Sequence, residues 1–484
     1  MGWFYRAAYD YKGKYLAEVN GRYDGTSRFP RGKRYGFFPS FSAAYRISEE
    51  AFFEPLRKTV DNLKIRLSYG SLGNQQIGYY DFIQTITTKG SMGDYSFDGT
   101  ILGQHATVSD PVSGNQTWEK VISKNLGADL NMFSNRLSLT ADFYIRDTKG
   151  ILGKGKSLPS IYGANEPQVN SNNLRTKGYE LVLGWRDSFK LAGSTFSYGI
   201  TGTFSDYTAE YTKCDNPSGL IGGPYVGKKY GEIWGYKVDG LFRNDEEAAE
   251  YASRVDLSKV AAGYYSATGA YGKGVRGGDI KYLDLDGSGI VDGGKGTLED
   301  PGDRRVIGNS SPRYQYGLTL NLSWYGFDLS VFMQGIGRLD WYPGADNLRF
   351  WGPYSRPYAT FIPKNFMSQV WSESNPDAYL PRARAYTSLN STQGTAYYTN
   401  DRYLQNLAYC RLKNLTLGYT IPKRLTSKVG IKECRVYFSG ENLATWSALK
   451  NDFLDPEQAA ADSDKKSNVY PWCRTYSVGL NLTF

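Results

Sequence analysis

The sequence lacks the features on which several functional classes depend. No apolar run reaches the roughly 18 residues that a transmembrane helix requires, so helical membrane spans are excluded. His105 is the only histidine, which leaves at most one imidazole base for a Ser-His-Asp or Cys-His arrangement. No GxSxG, HExxH or P-loop motif is present either. We therefore expect a protein that is not an enzyme and that requires no cofactor.

Cysteine is also scarce, with four residues in 484, and no CxxC spacing occurs among them. This pattern supports neither a zinc site nor a redox pair. Basic residues exceed acidic ones, 57 to 48, but they are scattered among the carboxylates instead of forming a basic patch. Nucleic acid is therefore not an expected partner.

Aromatic residues and glycine, by contrast, are abundant. Aromatic side chains make up 15% of the sequence, and glycine contributes 55 residues. Strands favour aromatic and β-branched side chains and tight turns favour glycine, so the composition predicts an all-β chain with many hairpins. The mean hydropathy of −0.50 fits a soluble β-protein or a membrane barrel, because only every second residue of a barrel strand faces lipid.

The order of apolar and polar residues favours the membrane barrel. Thr475–Phe484, Arg136–Arg146, Tyr314–Trp324 and Tyr15–Asp24 alternate over the roughly 9–11 residues that a tilted membrane strand needs. The connections are of two kinds, since some are as short as Tyr325–Gly326 and others are long and irregular. We predict a transmembrane antiparallel β-barrel fold of about 14 strands, with short periplasmic turns and long extracellular loops.

A series of longer sequence phrases carries a family resemblance. They include YDYKGKYLAEVNGRYDGTSRFP (9–30), TWEKVISKNLGADLNMFSNRLSLTADFYIRDTKGIL (117–152), GDIKYLDLDGSGIVD (278–292), GDRRVIGNSSPRYQYGLTLNLSWYGFDLSVFMQG (302–335) and YPWCRTYSVGLNLTF (470–484). In this order along the chain, the phrases resemble the SusC/RagA family of TonB-dependent transporters known from Bacteroidota.

The resemblance implies a larger assembly than this sequence contains. Such transporters combine a small N-terminal domain, a TonB box and a plug with a barrel of about 22 strands. Residues 1–484 would be the C-terminal part of that barrel, with the first three parts absent from this sequence. The remaining strands and the plug would come from another chain or segment, which would also reach the TonB complex. The expected location is the outer membrane, in contact with its lipid and lipopolysaccharide.

By the same resemblance, the expected function is TonB-dependent import of a nutrient, either a glycan or other oligosaccharide or a peptide. A SusD-like surface lipoprotein would be the partner, and this chain would supply barrel wall and extracellular loops. Lumen-facing polar groups would include Arg22, Arg66, Asp142 and Arg146. Two alternatives remain open: a TonB-dependent receptor of the siderophore or cobalamin type, and a surface glycan-binding β-protein.

Aromatic residues in the long loops are the candidates for contact with the substrate. The set comprises Trp234, Trp341, Tyr342, Trp351, Tyr354 and Trp371. Such rings could stack on sugar rings or on peptide side chains at the extracellular mouth. The alternative for each ring is packing within its own loop or at the membrane interface. We expect that some members of the set bind substrate.

The segment DLDGSGIVD resembles a calcium-binding loop. Its candidate ligands, at positions 1, 3, 5, 7 and 9 of the pattern, are Asp284, Asp286, Ser288, the Ile290 carbonyl and Asp292. Lys295 stands at position 12, where a bidentate glutamate is usual. Asp- and Gly-rich segments also form plain turns without metal. Ca²⁺ is therefore a candidate ligand of this loop, and a metal-free turn is the alternative.

Overall fold

The computed structural model describes residues 1–484 apart from 91–95, 98–99, 102–103, 156–157, 266–273, 357, 359, 361, 385–388, 390–393, 451–453 and 461–471. Within the described residues, an antiparallel sheet of 13 strands places each strand beside the next one in the chain. The strands are β1 Gly2–Tyr11, β2 Tyr15–Gly25, β3 Tyr35–Arg46, β4 Val60–Asn74, β5 Glu119–Met132, β6 Leu137–Lys154, β7 Gln168–Leu191, β8 Ser194–Lys213, β9 Arg313–Trp324, β10 Phe327–Arg338, β11 Tyr409–Thr420, β12 Glu433–Ser447 and β13 Thr475–Thr483. The predicted all-β fold is confirmed, with 13 strands against about 14 expected.

The chain divides into two compact units. The first comprises Met1–Leu181, Tyr207–Pro217 and Gly223–Lys229, and the second comprises Val182–Asp206, Ser218–Gly222 and Tyr230–Phe484. Strands β1–β6 therefore belong to the first unit and β9–β13 to the second, while β7 and β8 contribute residues to both.

Short and long connections alternate along the sheet, as the sequence predicts. Strands β7 and β8 are joined by Ala192–Gly193, and β9 and β10 by Tyr325–Gly326. All four turn residues have positive φ, from 48° at Ala192 to 85° at Gly193. Positive φ at both central residues is typical of the type I′ turn, whose twist matches that of a hairpin. The connections that follow β4, β8, β10 and β12 are the long ones.

The strands of the first unit alternate between an apolar and a polar face. Leu67, Leu126 and Phe143 face one another across β4, β5 and β6, and they are 56%, 49% and 55% exposed. An apolar row exposed to this degree is typical of a lipid-facing surface. Arg66 and Asp142 lie in the adjacent row, on the opposite face.

That polar face contains a network of ion pairs. The Arg66 guanidinium donates to Asp129 at 3.0 and 3.1 Å and to Asp142 at 3.0 and 3.1 Å. Gly127 lies on β5 between Arg66 of β4 and Asp142 of β6, and a Cβ there would approach the guanidinium to 2.7 Å. Glycine therefore leaves the space in which one arginine bridges two carboxylates.

The long connections of the second unit contain its hydrophobic core. Buried apolar residues from 236–291, 339–407 and 454–459 form one cluster. We call these packed connections, residues 230–312 and 339–408 with 454–459, the loop body. Its short strands pair Glu232–Tyr236 with Arg304–Asn309, Val238–Leu241 with Ile280–Tyr282, and Asp340–Trp341 with Gln405–Asn406. The extracellular connections predicted here thus fold into a packed structure.

The helices are short. They are α1 Asp245–Ala252, α2 Ala262–Tyr265, α3 Leu348–Trp351 and α4 Lys423–Thr426, with 3₁₀ helices at Ile47–Glu49, Ala51–Leu56, Ser160–Tyr162, Gly352–Tyr354, Met367–Gln369 and Ser427–Val429. In the first unit, the connection after β4 contains two small hairpins, which pair Ile86–Gly90 with Gln104–Val108 and Ser96–Phe97 with Thr100–Ile101. No helix in the described part of the chain is long and apolar enough to cross a membrane.

Candidate ligand cavity and acidic loop

Most of the predicted substrate-contacting aromatics lie inside the core of the loop body. Those less than a tenth exposed are Trp341, Tyr342, Trp351, Tyr354 and Trp371. Trp351 is fully buried and packs against Phe350 and Tyr403, with ring centroids 4.7 and 5.0 Å apart. The Tyr354 hydroxyl donates to the Pro381 carbonyl at 2.5 Å. These rings stabilise the loop body, and their contact with a substrate stays a prediction.

Trp234, the sixth predicted residue, is half-buried and lines a cavity of about 550 Å³. Small-molecule sites usually measure roughly 300–1,000 Å³. The wall of this cavity contains five aromatic rings, one guanidinium and a glycine-rich turn: Trp234, Tyr236, Tyr342, Tyr397, Tyr398, Arg304 and residues 293–296. The structure thus brings two of the six predicted residues together at one cavity.

A pair of short strands positions the cavity wall. Trp234 and Tyr236 are carried by Glu232–Tyr236, and Arg304 lies opposite Tyr236 at the start of the partner strand. The Trp234 indole donates to the Glu232 carboxylate at 2.7 Å, which fixes the ring. Burial raises the pKa of Tyr236 to about 12, and the nearby Arg304 charge opposes that rise. No sequence motif marks Arg304, because its position depends on the pairing of two strands that are distant in sequence.

An acidic group lies in the same loop body. Asp284, Asp286 and Asp303 have carboxylate oxygens within 4.8 Å of one another. Asp303 is fully buried and accepts hydrogen bonds from the backbone N–H groups of Leu285 at 2.6 Å and Asp292 at 2.9 Å. Burial raises the pKa of the Asp303 carboxyl, whereas hydrogen bonds from the neighbouring Ser288 lower the pKa of Asp286.

The other predicted calcium ligands form the turn around these acids. The Ser288 hydroxyl donates to the Ile290 carbonyl at 3.0 Å, and the Asp292 carboxylate accepts from the Gly294 N–H at 2.7 Å. Asp303 joins Asp284 and Asp286 in the group, and Asp292 does not. Asp303 lies beyond the local motif, which is why the spacing rule missed it. Calcium binding itself stays a prediction.

Known sequences resemble this chain along nearly its whole length. The family model described as TonB dependent receptor-like, beta-barrel matches residues 2–443. TonB-dependent receptor P3 of Formosa agariphila is 27% identical over 504 residues, and receptor P26 of the same species is 29% identical over 502 residues. TonB-dependent receptor SusC of Bacteroides thetaiotaomicron is 23% identical over 499 residues. The alignments cover 99–100% of this chain and 44–46% of the relatives, so the chain spans about half the length of the curated relatives it matches.

Solved structures resemble the fold as well. The RagAB peptide transporter matches all of this chain with a TM-score of 0.72 and 21% identity, and the match covers 47% of that chain. The RagAB peptide importer in its open-open state matches with a TM-score of 0.71 and covers 46% of that chain. At this identity the likeness concerns the fold.

Proposed function

The chain belongs to the TonB-dependent receptor-like β-barrel family, and from this premise we propose that it is part of a nutrient importer. Like the barrels of this family, it lies in the outer membrane. The observation that carries the proposal is the family match over residues 2–443, which includes the strands β1–β11 and all of the loop body except residues 454–459. Transport, and not catalysis, is the activity expected of such a barrel.

In this proposal the chain supplies barrel wall and extracellular loops. Its curated relatives are about twice as long, so the plug and the TonB coupling would reside in the half that this sequence does not match. That half would also bring the remaining strands, because lipid does not tolerate unpaired backbone groups at a sheet edge. The proposal requires the second half in the assembly, in the same polypeptide or in another one.

The proposed partner is a SusD-like lipoprotein at the cell surface, and the proposed cargo is an oligosaccharide or a peptide. Similarity to SusC supports the pairing, and the fold likeness to the RagAB peptide transporter supports a cargo larger than a metal chelate. A siderophore or cobalamin receptor is the rival within the same family. Iron- or cobalamin-limited growth would reveal it.

Co-purification from outer membranes tests the proposal. The chain, tagged in the turn at 12–14, is extracted in mild detergent and the associated polypeptides are identified by mass spectrometry. The expected result is a surface lipoprotein together with plug-bearing sequence. An unrelated outer-membrane barrel with the same tag is the control for non-specific capture. Recovery of this chain alone, soluble without detergent, would contradict the importer and favour a surface glycan-binding protein.

We also propose that Asp284, Asp286 and Asp303 hold a calcium ion. Carboxylate oxygens are hard ligands of the kind Ca²⁺ prefers, and a divalent cation would neutralise a group in which one acid is fully buried. Because Asp303 also accepts the N–H groups of three loop residues, an ion there would fix the loop. Calorimetry with calcium, with magnesium as control, tests this on the detergent-purified importer. Asp303→Asn should weaken calcium binding by about 10-fold or more, and equal binding by both proteins would contradict the site.

A further inference from the structure

The cavity of the loop body has one guanidinium whose charge is not balanced by an ion pair. The Arg304 Nη2 donates to the Gly293 carbonyl at 2.7 Å, and its Nε is buried without a hydrogen-bond partner. Within the described part of the chain, Arg304 forms no ion pair with a carboxylate. A guanidinium has five N–H donors, and buried donors are normally satisfied. Arg304 therefore has unused donors at a cavity wall.

Two buried arginines of the same unit, Arg384 and Arg411, behave differently from the half-buried Arg304. Arg384 donates to the Asp279 carboxylate at 2.6 Å, and Arg411 donates to Asp455 at 2.7 Å. Each of these two carries its counter-charge within the chain, so neither is available to a ligand. The contrast indicates that the position of Arg304 serves something other than internal charge balance.

The turn at 293–296 keeps Arg304 in place. A Cβ at Gly293 would lie 2.9 Å from the guanidinium, and Gly294 and Gly296 have φ of 51° and 70°. Glycine at 293 and 296 allows the backbone to pack directly on the Arg304 side chain, and a Cβ at Gly294 would instead meet Asp300. The neighbouring Asp292 carboxylate accepts the Gly294 N–H and so faces the turn. A side chain fixed in this way loses little conformational entropy when it binds an anion.

The rest of the wall offers ring faces. The Tyr342 hydroxyl donates to the Tyr398 carbonyl at 3.1 Å, and the Tyr398 hydroxyl donates to the Lys259 carbonyl at 2.9 Å. Because these hydroxyls are already engaged, the two residues present mainly the carbon surface of their rings to the cavity. Trp234 and the 41%-exposed Tyr397 add further ring surface. A ligand that fits this wall combines flat apolar faces with a negative charge.

The strand at the cavity floor disfavours a peptide. Peptides commonly bind by adding a strand to a free sheet edge. Glu232–Tyr236 pairs with Arg304–Asn309 on one edge. On the other edge the Tyr236 N–H donates to the Thr399 carbonyl at 2.9 Å, and the Tyr236 carbonyl accepts from the Asp401 N–H at 3.2 Å. Both edges are therefore occupied at Tyr236, whereas a sugar ring needs no such edge.

We propose that this cavity binds a carboxylate carried by a sugar ring of the imported glycan, with Arg304 as its charge partner. The inference rests on the proposed function, because it names the cargo class of the same importer. The charge-assisted, two-pronged contact of a guanidinium with a carboxylate then distinguishes acidic from neutral saccharides.

Calorimetry on the intact importer, purified with its partners, tests the assignment with three probes. They are tri-galacturonate, the corresponding neutral galactose trisaccharide and tri-aspartate, a peptide with the same net charge as the acidic sugar. We expect tri-galacturonate to bind about 10- to 100-fold more tightly than the neutral sugar. Absence of that preference, or equally tight binding of tri-aspartate, would overturn the proposal.

Variants locate the preference. Arg304→Gln should remove it without changing the affinity for the neutral sugar, and Arg304→Lys should retain part of it, because an ammonium lacks the planar fork. Arg305→Gln is the matched control, since the Arg305 guanidinium donates to the Gly302 and Arg304 carbonyls. A preference that survives Arg304→Gln would refute the role of Arg304.

Uptake by whole cells separates this inference from the proposed function. If saccharide is taken up in a TonB-dependent manner with no preference for charge, the result supports the proposed importer and contradicts the carboxylate site. If neither sugar binds and none is taken up, the proposed import of a glycan fails first, and the carboxylate assignment fails with it.

Discussion

Replacing Arg384 by methionine removes the partner of an almost fully buried carboxylate in the loop body. The Arg384 and Asp279 side chains are 5% and 1% exposed, and the guanidinium binds the carboxylate at 3.0 and 2.6 Å. The guanidinium also lies 4.1 Å from the centroid of the Tyr264 ring. Loss of one partner of such a pair usually costs about 3–5 kcal/mol, because a charge remains buried without compensation. The free energy of opening of the loop body should fall by about this amount.

The loss should depend on pH in a defined direction. Burial raises the pKa of Asp279 to about 6, and the Arg384 charge opposes that rise. In Arg384→Met the pKa of Asp279 is therefore higher still. An acid with a higher pKa in the folded state binds its proton more tightly when folded, so stability falls as pH rises from its unfolded pKa towards its folded one. Each pH unit in that window costs about 1.4 kcal/mol, and the variant should be least impaired near pH 5.

Hydrogen exchange measured by mass spectrometry on the detergent-purified protein can follow the loss of stability within the loop body. Peptides from the strand Ile280–Tyr282 should exchange about 100-fold faster in Arg384→Met than in wild type at pH 8, with intrinsic rates corrected. Arg254→Met is the matched control, because Arg254 is 67% exposed and its pair with Glu250 is at the surface. Unchanged protection in Arg384→Met, or an equal loss at pH 5 and pH 8, would refute the reasoning.

Three further predictions concern a turn, the charged face and a loop anchor. Gly326→Val places a β-branched residue at φ 82° and should destabilise the barrel by about 1–3 kcal/mol. The measurement is the unfolding temperature on heated gels, which should fall. Gly222→Val is the control and should leave that temperature unchanged, because a Cβ at Gly222 meets nothing within 4 Å. Arg66→Leu leaves the Asp129 and Asp142 carboxylates without their shared partner and should lower the free energy of unfolding by about 1–2 kcal/mol after allowance for solvent screening. Arg6→Leu removes an exposed ion pair and should leave the unfolding temperature unchanged. Arg411→Met removes a 2%-exposed arginine that binds the Asp455 and Glu457 carboxylates, so the backbone amides around these two acids should exchange faster with solvent. Unchanged hydrogen exchange of these amides would contradict a role of Arg411 as the anchor of this segment.

The sequence predicts the strands well because their periodicity reports the two environments directly. The alternation over Tyr314–Trp324 corresponds to β9 at Arg313–Trp324, and that over Thr475–Phe484 corresponds to β13 at Thr475–Thr483. Each residue of such a strand faces either one side of the sheet or the other, so a period of two is enough to locate it. The turn Tyr325–Gly326 can also be predicted from the sequence, because glycine tolerates the positive φ that a two-residue hairpin requires.

Whether a loop residue is buried or lines a cavity is harder to predict from the sequence, for a physical reason. Trp351 and Trp234 look alike in sequence, since both are tryptophans in long irregular connections. Trp351 is fully buried, while Trp234 lines a cavity, and only long-range packing distinguishes them. Asp303 illustrates the same limit, because it meets Asp284 through the folding of the loop and not through motif spacing.

The core shared by the long connections after β8, β10 and β12 limits how proteins of this barrel family can exchange their loops. The connection after β8 supplies Asp279 and Tyr282, and the connection after β10 supplies Arg384 and Tyr342 to the same core. Grafting one of these connections alone into a related barrel would separate the paired residues. The grafted core residues would then lack the residues against which they pack. The connection after β12 adds Leu454 and Ala459 to this core, so the three connections form one unit for recombination. They would have to be exchanged together, while the two-residue turns keep the strands in register. Chimaeras that exchange all three connections should keep this core, and single-loop chimaeras should lose it.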